Sequence, residues 1–140
     1  MRVCTFFGHR DAADKIKPVL RETVISVIEE GVLQFYVGAQ GRFDGMVRAV
    51  LKELAEQYPI RYEVVLAYPP EPGRYECPEG FPTLFPEGQE KVLLRFAIDR
   101  RNRWMVEQSD VVVSYTDKTY GGAVKYTMLA KKKGKTIIKI

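Results

Sequence analysis

Histidine, cysteine and tryptophan are almost missing from this 140-residue chain, which holds one histidine, two cysteines and one tryptophan. A lone histidine, His9, with two distant cysteines, Cys4 and Cys77, cannot build a zinc centre of the common Cys/His kind. The cysteines form no CxxC pair, so two reduced thiols are expected rather than a disulfide framework. Long apolar runs are absent too: none approaches the ~20 residues of a membrane helix. The apolar stretch within Met1–Arg10 is too short for a signal peptide. The expected location is therefore cytoplasmic, without a membrane partner. No Ser-His-Asp, Cys-His or paired-carboxylate constellation is legible, so no enzyme class follows from the chemistry alone, and no metal or cofactor is indicated.

What is present is ordinary for a globular protein, with 46% hydrophobic and 29% charged residues. The length fits a single domain, 1–140, large enough for a real core. The net charge of +4 hides an asymmetry. Residues 1–90 carry 10 Lys and Arg against 14 Asp and Glu, a net of −4, and residues 91–140 carry 12 against 4, a net of +8. A basic C-terminal third can attract phosphates or nucleic acid. Lys131, Lys132 and Lys133 read as a solvated helix face. Arg95, Arg100, Arg101 and Arg103 are better candidates for anion contacts, because guanidinium forks match phosphate oxygens.

Strand-like apolar runs alternate with helical patterns. Strands are expected at Val3–Phe7, Leu33–Val37, Tyr62–Ala67, Val111–Val113 and Thr136–Ile140. One helix cannot begin much before Asp14, since Pro18 fits only its first turn, and Gly31 stops it. A second carries Met46, Val47, Val50, Leu51 and Leu54 and stops before Pro59. A third covers Ala97–Gln108, with Ile98, Trp104 and Met105 inward, and a fourth Ala123–Lys133. This order predicts an α/β, Rossmann-like three-layer domain with a five-stranded, mainly parallel sheet ordered 3-2-1-4-5. The segment 68–90, rich in proline and aromatic residues, is the exception: a long loop and candidate lid.

Three glycine-bearing turns follow strands. They are Gly8-His9-Arg10, then Gly38-Ala39-Gln40-Gly41 with Asp44 four residues after Gln40, then Gly121-Gly122. Glycine lets backbone N–H groups approach an anion closely, and a helix start adds unpaired donors and a favourable dipole. In a doubly wound sheet such turns meet at the topological switch point, where ligands bind. The spacing is neither the dinucleotide fingerprint nor a Walker A motif. His9 and Asp44 are candidate proton-transfer groups, Asp44 also a helix cap or ribose partner. On the third helix Arg100 and Arg103 share a face and Arg101 lies on another.

Phe6-Phe7-Gly8-His9-Arg10, Phe35 to Asp44, Arg95 to Val106 and Gly121-Gly122-Ala123 together resemble the SLOG superfamily of Rossmann-like proteins. That superfamily groups the DNA-processing protein DprA with the LOG phosphoribohydrolases, and this chain is most similar to its YpsA-like branch. The resemblance implies a nucleotide or nucleotide-derived ligand at the switch point and association as a homo-oligomer. LOG enzymes use an arginine on the third helix and a glutamate in a Pro-Gly-Gly-x-Gly-Thr-x-x-Glu segment. Arg101, with Met105 and Asp110 following, matches the arginine segment. Tyr120-Gly121-Gly122-Ala123-Val124-Lys125-Tyr126-Thr127 lacks the proline, the third glycine and the glutamate, so the hydrolase activity does not carry over.

The leading expectation is binding or sensing of a small nucleotide-like ligand. Its phosphates would lie on Gly121-Gly122 and the Gly38–Gly41 turn, steered by Arg10 or Arg101, and its base against Tyr68 or Tyr75. The alternatives are an enzyme cleaving an N-glycosidic or phosphoester bond, with His9, Asp44, Arg101 or Asp117 in the chemistry, and a DprA-like binder of single-stranded DNA.

Overall fold

The structure is a computed structural model that describes residues 2–70, 78 and 80–140. Its strands are β1 (Val3–Gly8), β2 (Gln34–Val37), β3 (Arg61–Val65), β4 (Thr83–Leu84), β5 (Val111–Tyr115) and β6 (Thr136–Lys139). Its helices are α1 (Lys17–Glu29), α2 (Gly41–Leu54), α3 (Ala97–Gln108) and α4 (Gly122–Lys132). The sheet runs β4-β3-β2-β1-β5-β6 with every pairing parallel.

The expected five strands keep their order, and a sixth is added at the edge. Residues Thr83 and Leu84 pair with Val64 and Val65, held by Val64 N–H to the Pro82 carbonyl and Leu66 N–H to the Leu84 carbonyl, both 2.8 Å. A two-residue strand flanked by Pro82 and Pro86 shows no alternation to read, and proline is tolerated at a sheet edge because it has no N–H to donate. The strand anchors the return of the long loop. Phe81 and Phe85 pack against the core, and Lys52 stands 5.1 Å from the Phe81 ring centre. Residues Pro72, Tyr75 and Cys77 lie outside the described segments.

Alternation along the strands makes the three layers. Cys4 and Phe6 of β1 join a core with Leu20 and Val24 of α1 and Val47 and Leu51 of α2. Phe7 joins the opposite core with Met105 of α3 and Tyr126 and Ala130 of α4. So α1 and α2 cover one face, and α3 and α4 the other. Helix α1 carries Pro18 in its first turn, and Gly31, at φ +102°, lets the chain leave it. Along α3 only Met105 of the three expected apolar residues is fully buried. Ile98 faces the cavity described below, and Trp104 sits edge-on to Tyr36 at 5.0 Å.

Gly8 pairs with Tyr115 at the carboxyl ends of β1 and β5. Beyond that pair the chain turns to α1 on one face and to α4 on the other. The two turns therefore diverge and leave a crevice between them, as a switch point must.

Candidate functional site

A cavity of about 570 Å³ occupies this crevice, within the usual size range of small-molecule sites. Among the expected residues, Gly8, His9 and Arg10 come from the turn after β1, and Gln40 and Asp44 from the start of α2. Arg101 comes from α3, and Gly121 and Gly122 from the start of α4. Gly38, Ala39 and Gly41 do not reach the wall, contrary to the expected phosphate turn. A Cβ on Gly38 would stand 2.6 Å from Asp44 Oδ2 and 3.3 Å from Arg101 Cζ, so glycine there admits those two side chains. Gly41, at φ +83°, brings α2 against Arg10, whose Cα lies 2.9 Å from a Cβ placed there, and Arg42 N–H donates to the Arg10 carbonyl at 2.8 Å. Ala39 is buried. This turn props the wall from behind. Gly8 also serves packing: a Cβ there would fall 2.2 Å from the Phe43 ring.

Arg101 turns inward and is 2% exposed, while Arg100 and Arg103 face solvent. Its Nε donates to Asn102 Oδ1 at 2.7 Å, its Nη1 to the Val65 carbonyl at 2.8 Å and its Nη2 to Gln40 Oε1 at 2.6 Å. The guanidinium thus ties α3 to the end of β3 and to the start of α2. Burial pushes Arg101 below its usual value, opposed by the Asp44 carboxylate, Tyr126 and Tyr68. Asp44 is half-buried and accepts Gln40 N–H at 3.1 Å. Burial pushes its carboxyl up to about 6, against the opposing pull of Arg101, the Gln40 N–H, Arg48 and Arg10. Asp110, matched to the same motif, sits at the other end of β5. There it accepts Val3 N–H at 2.9 Å and serves strand pairing.

Helix α4 begins at the cavity edge. Gly121 at φ +106° makes the entry, and no side chain caps the first turn. The leading N–H groups of a helix have no partner within it, so these donors and the positive end of the dipole are open to a ligand. Two lysines flank them, each with a carboxylate. Lys118 Nζ pairs with Asp11 at 2.9 Å and Lys125 Nζ with Asp99 at 3.1 Å. Among the described residues Arg10 forms no ion pair. Asp99 also accepts the Tyr126 hydroxyl at 2.5 Å and Arg103 Nε at 3.0 Å. Burial pushes Asp99 up, but those hydrogen bonds outweigh it and hold the carboxyl at about 2.

His9 is buried in the wall, yet its Nε2 meets the turn after β5. It lies 3.2 Å from Lys118 N and 3.1 Å from Asp117 Oδ1. Phe7, Ile98, Met105 and Tyr126 give the cavity an apolar part of its wall. Phe7 and Tyr126 stack at 5.4 Å. The arrangement can hold an anionic group at the α4 start and a flat apolar group against these side chains. Lys118, Lys125 and Tyr126 had not been expected in the wall. Tyr126 follows Gly122 by four residues, so projecting α4 as a helix finds it. Lys118 sits in a turn without periodicity, and nothing local marks it. Tyr75 lies outside the described residues.

No protein-family profile matches the chain, and no curated protein matches it. Among solved structures it is similar to the molybdenum cofactor carrier protein MCP from Chlamydomonas reinhardtii. The alignment covers 99% of this chain and 76% of that one, with a TM-score of 0.67 at 14% sequence identity. The likeness is one of fold, the Rossmann-like parallel sheet with helices on both faces.

Proposed function

We propose that the chain binds a small nucleotide-derived ligand in the switch-point cavity, with the ligand's phosphate on the start of α4. The observation that carries this reading is the uncapped α4 N-terminus opening onto a cavity that Arg10 and Lys118 also line. Open helix donors next to cations are suited to a phosphate. The apolar wall of Phe7, Ile98, Met105 and Tyr126 suits the planar part of such a ligand. The SLOG resemblance supports a ligand of this class, and so does the fold shared with a carrier of a small cofactor. Arg101 contributes by holding Gln40 and α3 in place. Three of its N–H groups are already engaged and it is nearly fully buried, so it supports the wall rather than clamping the ligand.

Calorimetric titration of a panel of nucleoside mono- and diphosphates tests the proposal. At least one member binds in the micromolar range, and Arg10→Ala weakens it about ten- to a hundredfold, the worth of one charged hydrogen bond. An affinity unchanged in Arg10→Ala, or no binding across the panel, overturns the reading. The enzymatic alternative rests on Asp44, whose carboxyl at about 6 can give or take a proton near neutral pH. Turnover of the best-binding nucleotide, lost in Asp44→Asn, would establish it.

A further inference from the structure

The turn 116–121 carries Lys118 and Tyr120 of the cavity wall and leads into α4. Asp11 and His9 join it to the turn after β1 through hydrogen bonds and ion pairs. The Asp11–Lys118 ion pair strengthens both charges: Lys118 holds Asp11 below its usual value, and Asp11 holds Lys118 above its own. Both groups therefore stay charged across pH 5–8. His9 is different. Its Nε2 meets two groups that require opposite protonation states. The Lys118 N–H at 3.2 Å needs a lone pair on Nε2. The Asp117 carboxylate at 3.1 Å needs a proton there. A neutral imidazole with its proton on Nδ1 satisfies the first and sets two acceptors face to face. An imidazolium satisfies the second and sets two donors face to face. One contact must yield in either state.

We propose that His9 is a proton-linked positioning residue of the cavity. Neutral and protonated on Nδ1, it holds the Lys118 peptide in its present place. Protonated, it passes its hydrogen bond to Asp117 and releases the Lys118 N–H. Tyr115 frames the exchange, its ring edge-on to His9 at 6.1 Å and its hydroxyl donating to Asp117 at 3.4 Å. The proton adds a positive charge and frees a backbone donor beside Lys118 and the α4 start, so an anion is held more tightly on the acid side. That last step rests on the proposed anion site, whereas the peptide switch does not. Burial raises the Asp44 carboxyl of the same wall to about 6, and its effect must be separated.

His9 is the single histidine, so NMR reads its imidazole without ambiguity. The ligand-free protein is titrated from pH 8 to 5, following the His9 ring carbons and the Lys118 amide. Both are expected to move with one midpoint, and in His9→Gln, whose side-chain oxygen accepts without titrating, the Lys118 amide stays flat. A Lys118 amide that is flat through the imidazole titration of the unaltered protein overturns the proposal. That measurement stands on its own should His9→Gln fail to fold. Sulfate, doubly charged throughout, then probes the site at pH 7.5 and 5.5. Wild type gains about fivefold more affinity than His9→Gln on acidification, the effect of one partly screened charge, while Asp44 titrates in both. Equal gains with a moving Lys118 amide uphold the switch and remove the anion site. Equal gains with a flat amide remove both.

Discussion

Asp44 and Asp99 show how burial at one and hydrogen-bonded neighbours at the other give two carboxylates opposite pH behaviour. Burial raises Asp44 from 3.8 to about 6 in the folded protein. A raised folded value means the stabilisation is complete below pH 3.8 and is lost as pH rises through about 6. Asp44→Asn keeps an acceptor for the Gln40 N–H and removes the buried charge. It should raise stability at pH 8 by about 1–3 kcal/mol and flatten the profile between pH 4 and 6, as urea unfolding across pH 4–8 will read. A loss of stability at pH 8 would mean that Arg101 needs the negative charge more than burial penalises it. Asp99 runs the other way. Its folded value near 2 gives stability that is present above its ordinary 3.8 and lost as pH falls through 2.

Within α4, adjacent glycines do separate work. Gly121 stands at φ +106°, and a Cβ there would meet nothing within 4 Å. Gly121→Ala therefore acts through backbone strain alone and should cost about 1–3 kcal/mol. Gly122 has ordinary backbone angles, and its nearest neighbour to a Cβ is Tyr126 at 4.0 Å. Gly122→Ala should leave the melting temperature nearly unchanged but place a methyl at the proposed phosphate seat. Thermal unfolding beside calorimetry with the best nucleotide separates the two. Gly122→Ala binding as tightly as wild type would move the phosphate away from α4.

Across the whole molecule, the long β3–α3 connection must cross from the β4 edge to the opposite face of the sheet. Gln89 fastens that crossing. It is buried, and its Nε2 donates to the Ala67 carbonyl at 3.0 Å and the Ala97 carbonyl at 2.8 Å. One side chain thus joins the segment after β3 to the first turn of α3, the helix that carries Arg101. Gln89→Leu leaves two carbonyls without this donor and should cost about 2–4 kcal/mol in urea unfolding. A change below about 0.5 kcal/mol would mean that water replaces the amide fully.

The alternation of strands and helices was legible in the residues alone. Apolar spacing records which face of each element is buried, and Pro18, Gly31 and Pro59 mark where helices can start or stop. That pattern determined the parallel three-layer sheet, the switch point and the helix Ala97–Gln108. It did not determine which glycines line the cavity. Gly38 and Gly41 look locally like an anion turn, yet Asp44, Arg101 and Arg10 occupy the space beside them. Nor did it place Lys118 beside His9, 109 residues away, or Thr83–Leu84 at the sheet edge. Those depend on contacts between distant segments. Periodicity reports the burial of one element at a time, whereas a cavity is the space several elements leave unfilled, and only their tertiary packing decides it.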